Sequence, residues 1–255
     1  MPELTKAQNK RDLEKNERET PRRFLVFVLF SVLGIVVLSA LGVWQVERRT
    51  WKLALIDRVD HRIHAAPVAA PGPDAWPPIN RDDDEYRRVK ISGRFANDRE
   101  TLVDATTERG MGFWVMTPLT TPEGFTVLVN RGFVPVDRRD PATRATGQID
   151  GVTRVSGLMR MTEPKGTLLR ANDPDADRWY SRDIAAIAKA RGLNRVAPYF
   201  IDADATANPG GLPIGGLTVV SFYNHHLLYA LTWFALALML ALALARVVRE
   251  RYFRK

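Results

Sequence analysis

Side chains that could bind a ligand stand together in a short stretch near the C-terminus. Asn224, His225 and His226 come directly before an uncharged apolar run, and Tyr229 and Trp233 follow one and two helical turns later. A neutral imidazole is a common metal ligand. Helical spacing puts Tyr229 and Trp233 on the face of His226, whereas His225 points about 100° away. We therefore expect His226, or else His225, to bind a metal centre; the alternative is an interfacial histidine satisfied by a backbone carbonyl or a lipid headgroup.

The remaining reactive side chains do not predict an enzyme. The chain has no cysteine, which excludes disulfides, thiolate metal sites and a thiol nucleophile. No histidine occurs between His64 and His225, so a Ser-His-acid relay would need a histidine from the edge of the apolar run. We expect no catalytic residues.

Three further polar motifs favour structural roles. His61 and His64 lie three residues apart, but without a third ligand nearby they indicate a solvated helix face. The acidic run at 82–84 lacks the spacing of a calcium-binding loop and predicts a solvated loop. Arg131 ends a predicted strand, where it either reaches a partner at the domain edge or closes a turn with a salt bridge.

Two apolar segments must position these groups. Residues 222–245 form the first, and its part from Leu227 to Ala245 carries no charge. A helix of roughly 20 residues spans a bilayer core of about 30 Å. The other apolar segment, at residues 24–43, is longer than the core of roughly 7 to 15 residues that a cleaved signal peptide contains. We expect both segments to be transmembrane helices.

Basic residues flank these segments and account for much of the formal net charge of +8, so nucleic-acid binding is not indicated. Residues 246–255 are strongly basic, whereas residues 196–245 contain neither Lys nor Arg. Basic flanks stay in the cytoplasm, and two spans place both termini on the same side. Acidic residues within positions 1–23 argue against a mitochondrial transit peptide. We expect a multi-pass protein of the bacterial inner membrane with a periplasmic central domain.

A helical pattern continues beyond the first apolar segment. Trp44, Trp51, Leu55 and Val59 share one stripe, and charged residues occupy the rest of the surface. Tryptophans of this kind suit the membrane interface. The alternative is a surface for a ligand or a partner.

The central region has the periodicity of a β domain. A proline-rich linker at 65–78 precedes the segment 86–95, in which apolar and charged residues alternate as in a half-buried strand. Further strands are predicted at Thr101 to Asp104, Phe113 to Leu119, Thr126 to Asn130, Val152 to Met161 and Tyr199 to Ile201. The residues at 120–124 have hairpin-turn chemistry, and a helix is predicted from Arg182 to Ala190, ending at Gly192.

The predicted fold class is therefore an α+β membrane protein. Two transmembrane helices flank a mostly antiparallel, barrel-like β domain that lies outside the cytoplasm and contains an inserted helix. The predicted segments are a basic cytoplasmic N-terminus (1–23), transmembrane helix 1 (24–43), a helical extension (44–64), a periplasmic β-rich domain (65–221), transmembrane helix 2 (222–245) and a basic cytoplasmic tail (246–255).

Five motifs, taken together and in this order, resemble a known family. They are GVWQVERRTWK at 42–52, YRRVKISGRF at 86–95, GFWVMTPL at 112–119, VLVNRGFVP at 127–135 and NHHLLYALTWF at 224–234. They are similar to motifs of the Surfeit locus protein 1 family of cytochrome c oxidase assembly factors. The resemblance covers about residues 24–245 and includes the same two-span topology.

The resemblance implies a haem-handling assembly factor rather than an enzyme. Its expected cargo is haem a, carried transiently to subunit I of cytochrome c oxidase, and its expected partners are subunit I, haem a synthase, other assembly factors and the lipid bilayer. The histidine of the family's NH-containing motif falls on His226, which is then the iron ligand. The alternative function is a membrane chaperone that stabilises nascent subunit I without binding haem.

A haem also needs an apolar surround and basic groups for its propionates. Trp233 and Tyr229 on the second helix, with Trp44 on the first, are the expected surround. Arg48 and Arg49, just outside the first apolar segment and followed by Lys52, are at a suitable depth for the propionates. His225 stays the second candidate for the iron.

Overall fold

The structure, a computed structural model, describes residues 2–167, 169–220 and 224–253. It divides into two compact units. One is helical and consists of Met1–Ile56 with Phe222–Lys255, and the other, Asp57–Ser221, contains the β-sheet.

Two long helices make up most of the helical unit. Helix α1 runs from Pro2 to His64, and its last turns, from Asp57 onward, belong to the second unit. Helix α4 runs from His226 to Phe253. Their parts Arg22–His64 and His226–Arg251 are long and apolar enough to cross a membrane, judged by length and composition. The two residues with which the predicted second span begins, Phe222 and Tyr223, lie outside the described part of the chain.

Seven strands form a mixed sheet that closes on itself. The strands are β1 (Val68–Ala69), β2 (Arg88–Phe95), β3 (Thr101–Thr107), β4 (Gly110–Thr120), β5 (Thr126–Pro135), β6 (Val152–Met161) and β7 (Val196–Ala203). Their order is β1-β2-β6-β7-β5-β4-β3, and a short antiparallel pairing of β2 with β4 closes the ring. The pairs β1–β2 and β5–β7 are parallel, and the other pairs are antiparallel. The barrel-like, α+β expectation agrees with this architecture.

Alternation along the strands separates two cores. Residues of one face fill the barrel interior, among them Val89, Ile91, Val127, Val129, Met159, Tyr199 and Ile201. Residues of the opposite face, such as Leu128 and Phe200, pack outside the barrel against Trp179 and the short helix α3 (Ile184–Ala190). A strand with both faces buried shows little polar alternation, and this is the situation of β5.

The acidic run at 82–84 is not the solvated loop that its composition predicts. It forms a one-turn helix, α2 (Arg81–Asp84), in which the side chain of Asn80 accepts a hydrogen bond from the backbone N–H of Asp83 at 3.0 Å. Asp84 is buried and pairs with the Arg87 guanidinium at 2.5 Å. Capping therefore orders the run as a helical turn rather than a loop, but only Asp84 is withdrawn from solvent, whereas Asp82 and Asp83 are exposed as the composition predicts.

Candidate functional site

The helical unit has a seam between α1 and α4 that is lined by small side chains. On α1 the seam includes Ser31 and Gly42, and on α4 it includes Ala230 and Ala237; all four are buried. A Cβ atom added at Gly42 would lie 2.6 Å from the Phe234 ring. Small residues let helix backbones approach closely in this way.

His226 lies in this seam and meets a partner from the other helix. Its Nδ1 atom is 2.7 Å from Oε1 of Gln45. An amide oxygen only accepts hydrogen bonds, so Nδ1 carries the proton and donates it. In the tautomer with a single N–H, Nε2 keeps its lone pair and is the ring nitrogen able to bind a metal.

A second polar side chain, that of Asn224, precedes His226 by two residues, just before α4 begins. The side chain of Asn224 is half-buried, and its Oδ1 atom has no hydrogen-bond partner among the described residues. A buried acceptor without a donor is uncommon and costs free energy. Among the described residues, Nε2 of His226 and Oδ1 of Asn224 therefore have no hydrogen-bond partner.

The other predicted site residues lie around the seam with different exposures. Trp233 is half-buried, seven residues after His226. Tyr229 is 56% exposed and Trp44 is 53% exposed, so both present most of their rings on the outer surface of the helices. His225 is exposed as well.

The two basic candidates on α1 also differ from one another. The Arg48 guanidinium lies 4.0 Å from the centroid of the Trp51 ring, a cation–π contact on the exposed side of the helix. Arg49 is half-buried, and it follows Gln45 by four residues, which places it one turn further along the same face. The structure therefore brings Gln45 and His226 together directly, with Arg49 as the basic residue on the same face of α1.

Sequence reasoning missed Gln45. Its signal was available, because Gln45 is the one amide in the predominantly apolar stretch of α1 and lies three residues after Gly42, on the helix stripe that repeats every three or four residues. A polar side chain that packs among apolar residues needs a hydrogen-bond partner inside the protein. That partner, however, is 181 positions away in sequence.

The β domain contains a second polar centre, built around Asp202. Its buried carboxylate accepts hydrogen bonds from Arg160 at 2.9 Å, Arg182 at 3.1 Å, Asn130 at 2.7 Å and Thr218 at 2.9 Å. These residues come from three strands and two connecting segments, which the carboxylate holds together.

Glu163 extends this centre through Arg182, whose guanidinium donates to both of its carboxylate oxygens. Burial raises the pKa of Glu163, but the hydrogen bond and the charge of Arg182 outweigh burial and hold that pKa below its usual range. Burial likewise lowers the pKa of Arg182, and the charges of Asp202 and Glu163 reverse the effect and raise it. Each charge in this centre is therefore balanced by an opposite charge.

The remaining histidines do not join either centre. His61 approaches the Asp57 carboxylate at 3.7 Å and His64 the backbone oxygen of Asp60 at 2.9 Å, both on the exposed surface of α1.

Neither expectation for Arg131 describes its position, because it lies within β5 rather than at a strand end, and its side chain is buried.

Comparison with known proteins gives one consistent result. A family model described as the SURF1 family matches residues 32–238. The chain is 38% identical to Surfeit locus protein 1 of Rattus norvegicus over 229 residues, which cover 84% of this chain and 71% of the relative. It is 38% identical to Surfeit locus protein 1 of Homo sapiens, with 84% and 74% covered, and 35% identical to a SURF1-like protein of Monosiga brevicollis, with 84% and 83% covered.

Proposed function

The chain belongs to the SURF1 family, and on this premise we propose that it binds haem a through His226 and assists its delivery to subunit I of cytochrome c oxidase. Membership confirms the resemblance read from the sequence motifs. Proteins of this family are cytochrome c oxidase assembly factors and are not known as enzymes.

The hydrogen bond between Gln45 and His226 is the observation that carries the proposal. Metal-binding histidines usually donate their second N–H to a fixed acceptor, which sets the tautomer and the ring orientation. Gln45 is such an acceptor, at 2.7 Å. The pair lies between two apolar helices, an environment that suits an apolar macrocycle, and leaves Nε2 of His226 to bind iron.

Other residues of the seam fit the remaining needs of a haem. Trp233 supplies a half-buried aromatic ring on the His226 face, and Arg49 supplies a cation for a propionate one turn beyond Gln45. Tyr229, Trp44 and Arg48 stand at the exposed side, where a ligand entering from the bilayer would first meet them. A single imidazole ligand suits a carrier, because it leaves the iron free to take a ligand from the recipient.

The proposed location is a bacterial inner membrane, with both termini in the cytoplasm and residues 65–221 in the periplasm. At the other end of the helix pair, the Arg251 guanidinium lies 4.2 Å from the ring centroid of Phe24. Phe24 and Gln45 are separated by roughly 20 helical residues, or about 30 Å, which matches a bilayer core. The basic flanks are then at the cytoplasmic face and the Gln45–His226 pair at the outer face.

Partners follow from the same proposal. Cargo at the outer membrane boundary is exchanged with other membrane proteins, so subunit I is the proposed recipient and haem a synthase the proposed donor. The β domain is then the part that contacts other assembly factors. Nucleic acid has no role in this scheme.

The test is the visible spectrum and the pyridine haemochrome of the purified protein, co-expressed with haem a biosynthesis. Wild type should carry haem a, His226→Ala should lose it, and His225→Ala, the matched control on the adjacent position, should retain it. Far-UV circular dichroism checks that each variant is folded. Colourless wild-type protein that still co-purifies with oxidase subunits would contradict haem binding and establish the chaperone function instead.

A further inference from the structure

One buried cation of the β domain has no use in the proposed function. Arg131 follows Val127 and Val129 on the inner face of β5, so its side chain continues the row that fills the barrel interior. It is 2% exposed, and its guanidinium carbon lies 4.7 Å from the centroid of the Phe95 ring. Arg131 therefore places a positive charge at one end of the barrel core.

The hydrogen-bond partners of Arg131 carry no charge. Its guanidinium donates to the backbone oxygen of Gly147, to Oδ1 of Asn208 at 3.1 Å and to Oδ1 of Asn97 at 3.5 Å. Its Nε atom is buried and has no partner among the described residues. Neutral acceptors satisfy part of the guanidinium but leave its charge unbalanced.

The nearest buried charges do not supply the balance. Arg144 and Glu100 form an ion pair with each other, and their side chains are 1% and 8% exposed. Burial lowers the pKa of Arg131 to about 10, with Glu100 opposing the shift and Arg144 adding to it. Arg131 therefore stays protonated at neutral pH, and this end of the barrel holds two buried cations and one buried anion. An unpaired buried charge is costly, so an anion that entered would be stabilised.

A cavity adjoins this cation. It has a volume of about 190 Å³ and is lined by Arg131, Phe95 and Val129, by residues of β6 that include Thr153, Arg154 and Ser156, and by Asp204, Thr206, Ala207 and Asn208. At about 30 Å³ per water molecule, it has room for a group of several non-hydrogen atoms. Its lining combines apolar walls with hydroxyl and amide groups, as a site for a small polar molecule requires.

We propose that this cavity binds a small free carboxylate, with the Arg131 guanidinium as its charge partner. The charged residues that line the cavity are Arg131, Arg154 and Asp204, so one positive charge is in excess, which calls for a monoanion. A dianion such as phosphate is disfavoured, because the Asp204 carboxylate also lines the cavity. The site belongs to the β domain alone and does not depend on haem binding by the helical unit.

The experiment is isothermal titration calorimetry of the purified full-length protein with sodium acetate, and separately with sodium phosphate, at constant ionic strength. Wild type should give a saturable signal with acetate and a weaker one with phosphate. Arg131→Gln should weaken acetate binding by about 10- to 100-fold, since a hydrogen bond to a charged group is lost. Arg138→Gln, which alters an arginine outside the cavity, should bind acetate as wild type does.

A second variant decides the matter if Arg131→Gln does not fold. Ala203→Leu fills the cavity from β7 and keeps the guanidinium, so it should fold and yet lose acetate binding. No saturable acetate signal in wild type, or full binding by either cavity variant, would overturn the proposal. Tighter binding of phosphate than of acetate would overturn the assignment of the ligand as a carboxylate. An aspartate with blocked termini stands for a carboxylate side chain of a partner protein, and its binding in place of acetate would overturn the assignment of the ligand as a free small molecule.

Discussion

The helix pair and the ionic centre around Asp202 hold their polar groups in opposite ways. In the helical unit, the Gln45–His226 hydrogen bond uses one ring nitrogen of the histidine, and the other nitrogen has no hydrogen bond within the described part of the chain. In the β domain, Asp202 and Glu163 are bound by Arg160 and Arg182, so that charges of both signs are balanced. A balanced ionic centre ties strands together, whereas a single hydrogen bond that orients an imidazole suits the proposed uptake and release of cargo.

The comparison predicts that stability resides mainly in the ionic centre. Asp202→Ala would leave Arg160 and Arg182 buried without one of their anions, and we expect the free energy of unfolding to fall by about 3–5 kcal/mol. Chemical denaturation monitored by tryptophan fluorescence measures this loss. The control is Asp204→Ala, because the half-buried Asp204 carboxylate accepts hydrogen bonds from Thr206 rather than from an arginine, and its loss should cost about 1 kcal/mol or less. Equal losses for the two variants would remove the contrast between the regions.

The converse prediction concerns Gln45. Gln45→Leu removes the acceptor that orients His226, and we expect affinity for haem a to fall by about 10- to 100-fold, the usual effect of losing such an outer partner. Gln45→Glu keeps an acceptor at the same place and should retain most of the affinity. Haem titration followed by absorbance measures both, with thermal unfolding of the β domain as the control that should not change. If Gln45→Leu binds as tightly as wild type, the hydrogen bond is structural only.

The smallest expected effect is a pH dependence. Because the folded-state pKa of Glu163 lies below its unfolded value, its contribution to stability is present above pH of about 4.3 and is lost as the pH falls through the folded pKa. The difference in unfolding free energy between wild type and Glu163→Gln should therefore be largest near neutral pH and shrink on acidification. Chemical denaturation of both proteins at neutral pH and at acidic pH tests this. A difference in unfolding free energy that grows in acid would contradict the lowered pKa of Glu163.

Much of the β domain could be predicted, because alternation is a local property of each strand. The strand predicted from Val152 to Met161 has the bounds of β6, and the helix predicted from Arg182 begins at Ile184 because Asp183 caps it, accepting from the N–H of Ala186 at 3.1 Å. The parallel pairing of β5 with β7 was not predictable in this way. It joins segments separated by β6 and α3, and no local pattern records it.

The sequence predicted the residues that α4 contributes to the candidate site, but not Gln45 on α1. His226 and its aromatic neighbours stand within one helix, where spacing alone relates them. Gln45 required knowledge of which faces of α1 and α4 pack together, which depends on the close approach allowed by Gly42. The burial of Arg131 likewise depends on the closure of β2 onto β4, which makes the inner face of β5 a barrel interior.

The sequence by itself determined the two long apolar helices, most strands and the family, because hydrophobic period and motif order can be read from neighbouring residues. Only the tertiary structure decided that His226 meets Gln45, that Asp202 gathers two arginines and that Arg131 lies beside a cavity and donates to neutral acceptors. The physical reason is the range of each effect. Periodicity acts over a few residues, whereas the partners of a buried polar group are chosen by packing between distant segments.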